Sequence, residues 1–270
     1  MKKIITVTCD QNYSLYAGVF INSLNANTKD VSVVVRAVNC THDTINNIVR
    51  LGSNVRVIDD KPNTSTIRNI LSHDKELLYD GLIESLTKNK TKVKSPRLLC
   101  SEQMAYCSNI KFMTIQQLLN EDDNNIVIYM DIDSIIRGNI NELYDRLSHV
   151  DLAMFKDAPY TEQHEGSSRL QGNNVLYHGG LLGVNNNNRT RHLISEWVTL
   201  VAEDMFDWDA DEDIFYRAHE DSSIRIVCVD KIYKDEDLDD KSVVWSGSGQ
   251  TKFSHDRYID ECKKYHPEFG

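Results

Sequence analysis

Proline is scarce and flexible linkers are missing: 270 residues hold four prolines and no long Gly/Ser stretch. Nothing marks an interdomain boundary, so one domain is expected. Long hydrophobic runs are missing too. No segment approaches the ~20 apolar residues of a membrane helix, and the opening "MKKIITVTCD" has too short an apolar stretch for a signal peptide. Basic charge is in deficit, with 30 Lys+Arg against 41 Asp+Glu and a net charge of -11. Broad binding to DNA or RNA needs a basic face that displaces counterions. The one basic concentration, "KNKTKVKSPR" (88–97), reads as a solvated loop. The six cysteines, at 9, 40, 100, 107, 228 and 262, form no CxxC pair and have no histidine at zinc spacing. Cys9, Cys40 and Cys228 sit in apolar, strand-like runs and are expected as small buried thiols. A reducing, cytoplasmic setting fits this usage, which makes the Asn-x-Ser/Thr triplets at Asn39 and Asn63 accidental.

What is present is an alternation of periods. "KIITVTC", "VSVVVRAV" and "VRVID" read as strands, separated by the helical "SLYAGVFINSLNAN" and "THDTINNIVRLG". Thr41 is placed to cap the second helix, with Gly52 at its end. Short β-branched strands joined by helices imply right-handed crossovers and a parallel sheet. Helical pieces are expected around 66–88. "SEQMAYCSNIKFMTIQQLL" reads as one helix feeding the strand "IVIYM". The second half is mixed. It holds a helix "NINELYDRL", a strand "DLAMFKD", a polar loop over 158–175, a strand "NVLYHGGLLGV" and a helix from about 190 to 205. The acidic cluster "DWDADEDIF" precedes the strand "IRIVCVD". Asn185 to Asn188 read as a loop and the tail as polar with scattered aromatics. The expectation is an α/β chain with a nucleotide-binding-type half, residues 1–135, followed by a mixed half, residues 136–270. Ligands of such sheets collect at the carboxyl ends of the strands.

Within "IVIYMDIDSIIRGNI" (126–140) a buried-type strand runs into Asp131 and Asp133. Carboxylates at i and i+2 of a strand end point the same way and can share one hard cation. A solvated turn is the competing explanation, although the flanking β-branched residues disfavour it.

These residues resemble those of the retaining GT-A glycosyltransferases, especially glycosyltransferase family 8. The resemblance begins at "TVTCDQNYSLYAGVFINSL" (6–24) and continues through "YMDIDSIIRGNINELYD". It implies a single GT-A domain with a Rossmann-like sheet. Thr8, Asp10, Asn12 and Tyr13 match contacts to the base and ribose of a sugar nucleotide. Asp131 and Asp133 match the pair that holds manganese (or magnesium) on its diphosphate. The middle of the chain is similar to glycosyltransferase family 6. Lys111, in "IKFMTIQQLL", holds the place of an arginine that touches the donor. "LYHGGLLGV" puts His178, Gly179 and Gly180 beside the transferred sugar, where missing side chains let the backbone approach a ligand. Asp211 and Glu212 match a catalytic acidic pair, Glu212 facing the anomeric carbon and Asp211 binding sugar hydroxyls. In "WSGSGQTKF", Gly249 and Lys252 match a phosphate-contacting segment, whereas Ser246 stands where family 8 has a third metal ligand, a histidine. His255 lies close enough in sequence to substitute for it.

The expected function is metal-dependent, retaining transfer of a hexose-type sugar from a UDP-sugar to an acceptor hydroxyl on a glycan, lipid, protein or modified base. Two alternatives stay open. One is a catalytically degenerate GT-A domain that binds a sugar nucleotide or glycan. The other is a sugar nucleotidyltransferase, against which "TCDQNYS" offers no glycine-rich phosphate loop.

Overall fold

The computed structural model describes residues 1–65, 101–156, 177–206, 210–211, 214–215, 223–247 and 251–269. The first apolar run forms β1 (Lys2–Asp10), whose alternation sends Ile5, Val7 and Cys9 into one apolar layer and Ile4 into another. A strand greasy on both faces belongs inside a parallel sheet covered on two sides. The chain then runs through α1 (Ser14–Asn27), β2 (Val31–Val38), α2 (His42–Val49) and β3 (Val55–Asp60), stepping outward with each strand parallel to the last. Thr41 caps α2 by accepting from Thr44 N at 3.2 Å.

On the other side of β1, β4 (Asn125–Met130) pairs in parallel. The second half inverts the pattern. β7 (Tyr177–Asn185) runs antiparallel to β4, β6 (Leu152–Lys156) antiparallel to β7, and β8 (Ile226–Val229) parallel to β6. The order is β3-β2-β1-β4-β7-β6-β8, the mostly parallel α/β sheet expected. Because β7 is antiparallel, its first residues lie beside the last residues of β4, at the edge where β1 also ends.

One apolar layer packs the sheet against α1, α5 (Asn141–Leu147) and the C-terminal helix α8 (Asp256–Tyr265), with Phe20, Tyr144 and Tyr258 buried in it. The other packs it against α4 (Lys111–Glu121) and α6 (Asn188–Glu203). There Phe112, Trp197 and Phe215 meet edge to face, with centroids 5.6–5.7 Å apart.

Four expectations change. The helix from 101 to 119 is two helices, α3 (Glu102–Asn109) and α4, broken at Ile110. Buried Asn109 donates to Met205 O at 3.0 Å, a tertiary bond at the end of α3. Asn185 to Asn188 form a strand end and a helix start: Asn185 closes β7, and Asn187 caps α6 by accepting from Arg189 N and Thr190 N. The tail is structured. β9 (Val244–Ser246) pairs with β5 (Ser134–Ile136), and α7 (Thr251–Ser254) leads into α8, held by buried Tyr258 and Cys262 at i and i+4. Cys228 is exposed on β8, the edge strand, whereas Cys9 and Cys40 are buried. The helical pieces around 66–88, the basic stretch 88–97 and the loop over 158–175 lie outside the described residues. Among the described residues no helix is long and apolar enough to cross a membrane.

Candidate active site

The ends of β1 and β4 and the start of β7 surround a cavity of about 320 Å³. Its volume is in the range of small-molecule sites. Among the described residues five carboxylates (Asp10, Asp131, Asp133, Asp211, Glu236) and three lysines (Lys111, Lys234, Lys252) line it.

On the β1 side, Thr8, Asp10 and Tyr13 reach the cavity. Asp10 Oδ1 accepts from Asn12 N at 3.0 Å and Tyr13 N at 3.1 Å, and its Oδ2 accepts from Gln103 Nε2 at 2.9 Å. Asp10 therefore shapes the turn that presents Tyr13. Asn12 is exposed and does not line the cavity.

At the end of β4, Asp131 and Asp133 stand in a turn closed by Ser134 N donating to Asp131 O at 3.1 Å. The strand stops at Met130, so the pair is held by a turn and not by the strand. Both acids still line the cavity. The turn, one of the two alternatives in the sequence, is formed, and it leaves both acids facing the cavity. Its far side is fixed by the tail: Gly247 N donates to Asp133 O at 3.0 Å, and the Tyr258 hydroxyl donates to the same carbonyl.

Buried Asp133 pairs with Lys252 at 2.6 Å. Burial, only partly offset by that ammonium, pushes its carboxyl up to about 6. Burial works against the charge of Lys252, and Asp133 more than restores it. The Lys252 ammonium also sits 4.9 Å over the Tyr13 ring.

The start of β7 supplies His178, Gly179 and Gly180. Gly180 N donates to His178 Nδ1 at 3.1 Å, which leaves the ring's N–H on Nε2. Burial and then Lys234 hold this imidazole below its usual value, so it is neutral at pH 7. The two glycines have a steric reason. A Cβ on Gly179 would lie 2.3 Å from Asp211 Oδ2 and 2.8 Å from Lys111 Nζ. A Cβ on Gly180 would lie 2.3 Å from Asp131 Oδ2 and 2.6 Å from Lys234 Cε. Each glycine makes room for one acid–lysine couple.

Lys111 is buried at the start of α4. Its ammonium lies 2.6 Å from Asp211 Oδ2, donates to Gly179 O at 2.8 Å and stands 5.0 Å from the Tyr129 ring centroid. Ser108 also donates to Asp211 Oδ2, at 3.3 Å. Glu212 and Gly249 lie outside the described residues.

Ser246 does not line the cavity. Its hydroxyl is buried 3.5 Å from the Ser134 hydroxyl. His255 is exposed at the start of α8 and does not line the cavity either. Among the described residues no group of three or more His, Cys, Asp or Glu could hold a metal. Asp131 and Asp133 nevertheless fit a hard divalent cation that takes its other oxygens from phosphate and water. Carboxylates also outnumber lysines in the cavity by two.

Lys234 and Glu236 are the charged lining residues the sequence reading missed. They sit in the acidic "KDEDLDD", which carries no periodic or motif signal.

The chain's residues 4–215 match the model for glycosyl transferase family 8. It belongs to that family. As a family 8 glycosyltransferase it is an enzyme of the expected kind, and solved structures share its GT-A fold. One is the galactosyltransferase LgtC in complex with donor and acceptor sugar analogs. It is 16% identical with a TM-score of 0.58, over 97% of this chain and 95% of that one. The glycosyltransferase GlyE of Streptococcus pneumoniae TIGR4 is 12% identical with a TM-score of 0.56, over 97% of this chain and 60% of that one. Mouse xyloside xylosyltransferase 1 is 14% identical with a TM-score of 0.51, over 93% and 99%. No curated protein sequence matches.

Proposed function

We propose that this glycosyltransferase moves a hexose-type sugar from a UDP-sugar to an acceptor hydroxyl, with retention and with a divalent metal. The observation that carries this reading is the cavity itself, where Asp131 and Asp133 meet Lys252 and Tyr13 from distant segments. The nucleotide lies along Thr8, Asp10 and Tyr13, residues of the 1–135 half, and its diphosphate reaches the two aspartates. Asp131 and Asp133 would hold manganese or magnesium, which when bound neutralises charge growing on the departing diphosphate.

The other residues act in their own right. Lys252 exchanges Asp133 for a phosphate oxygen and adds positive charge there. His178, neutral and protonated at Nε2, donates to a sugar hydroxyl. Gly179 and Gly180 let the sugar approach the backbone. Lys111 anchors Asp211 on the floor beneath the sugar, and the role of supporting the anomeric carbon goes to Glu212, next in sequence. The acceptor, a glycan, lipid, protein side chain or modified base, enters from the 136–270 half. A cytoplasmic setting remains part of the proposal.

A screen of UDP- and GDP-sugars for slow hydrolysis, with manganese and with EDTA, tests the reading. Manganese-stimulated release of UDP from one donor is expected. No turnover of any donor, with UDP still bound, would favour the second reading: a domain that binds sugar nucleotides without transfer. Ser246, buried where a third ligand is expected, is the observation on that side. Among the described residues the cavity offers nothing specific to nucleotidyl transfer.

A further inference from the structure

The geometry points to Lys234 as a second cation for the donor diphosphate, held by Glu236 and handed to the phosphates when the donor binds. This rests on the donor reading above and adds to it a residue that no motif carries.

Three lysines line the cavity, and their partners differ. Lys111 and Asp211 are both buried, with side chains 1% and 6% exposed. Lys252 and Asp133 are nearly so, at 13% and 9%. Lys234 is 3% exposed, but its partner Glu236, 2.8 Å away, is 40% exposed. A buried ammonium is costly unless paired. A half-exposed carboxylate, by contrast, leaves such a pair cheaply, because water takes it up. Lys234 is therefore the cation whose partner a ligand anion displaces most easily.

Its position is fixed as well. Lys234 N donates to Lys231 O at 3.0 Å, and Asp235 N donates to Val244 O at 3.1 Å. Asp235 is fully buried and accepts from Asp237 N, Asp239 N and the Ser242 hydroxyl. The backbone under Lys234 is thus pinned by the same acid-rich turn that supplies Glu236. The stem of Lys234 lies over Gly180, where its Cε and Asp131 Oδ2 approach one point. A diphosphate lying on Asp131 through a cation comes within reach of this ammonium. Among the described residues Ser246, turned to Ser134, supplies no third protein ligand. A lysine here adds positive charge beside the phosphate oxygens.

The test is the affinity of UDP, inorganic pyrophosphate and uridine, measured by calorimetry with manganese for wild type, Lys234→Met and Glu236→Gln. Lys234→Met keeps an apolar stem, and a thermal melt checks that it folds. Its UDP and pyrophosphate affinities are expected to fall about tenfold, the worth of one charge-assisted hydrogen bond, with uridine unchanged. Glu236→Gln, which removes the competitor, is expected to bind both more tightly. Unchanged UDP and pyrophosphate affinity in Lys234→Met would overturn the assignment, as would an equal loss for uridine, the mark of a structural role. A wild type that binds pyrophosphate through Lys234 but not UDP would sink the donor reading and leave the anion site standing.

Discussion

Lys111 and Asp211, 100 residues apart in the chain, meet at 2.6 Å, the ammonium and the carboxylate both buried. The pair ties α4 to the segment that follows α6, and its lysine also holds the Gly179 carbonyl at the start of β7. One ion pair thus fixes three pieces of the cavity floor.

Breaking that pair strands a buried charge. Lys111→Met is expected to cost about 3–5 kcal/mol of stability. Adding Asp211→Leu should recover much of the loss, because no uncompensated charge remains. Urea unfolding of the two single variants and the double variant reads the coupling. A double variant as unstable as the sum of the singles would show that the pair is not the source.

Gly180→Ala puts a methyl group 2.3 Å from Asp131 Oδ2. The carboxylate must move by about an ångström, a displacement that costs roughly a hundredfold in transfer. The melting temperature should stay near wild type, because the clash falls on side chains at the cavity and not on the core. Donor turnover and a thermal melt, measured together, check this.

Asp131→Asn with Asp133→Asn should abolish manganese stimulation of donor hydrolysis. EDTA should reduce the wild-type rate to that of the double variant. If turnover is the same with EDTA and manganese, the metal has no part in it.

Acid stability isolates another carboxylate. Asp151 is buried at the start of β6. Burial raises its carboxyl, but hydrogen bonds from Arg225, Arg189 and Asn187 outweigh this and hold it at about 2. A carboxyl lowered on folding stabilises fully above its unfolded value, about 4. That stabilisation fades as the pH falls towards 2. Asp133, raised on folding, has the opposite slope between about 4 and 6, so the two are separated by difference. The gap between wild type and Asp151→Asn, by urea unfolding, should be about 1–3 kcal/mol at pH 6 and shrink below pH 4. A gap that is constant with pH would rule out ionisation as its cause.

Much of the fold was legible because its signals are local. Thr41 caps α2 through an oxygen three residues from its donor, and β1, β2 and β4 announce themselves as apolar strands. Lys234 was not legible. Its role depends on Gly180 and Asp131, which lie more than fifty residues away, and it stands in a run of acids that reads as solvent-facing. The tail failed for a related reason: β9 is three residues long and exists because β5 pairs with it.

The sequence alone carried the family resemblance, through the order of short motifs along the chain. It also carried the parallel half of the sheet and the neighbouring acids Asp131 and Asp133, through residue type at short spacing. Only the tertiary structure decided which charges meet. It placed Lys252 on Asp133, Lys111 on Asp211 and Lys234 beside Asp131. It also turned a strand-end pair into a turn pinned by Gly247 and Tyr258. The physical reason is that a buried ion pair depends on distance in space, and the antiparallel return of β7 beside β4 sets that distance.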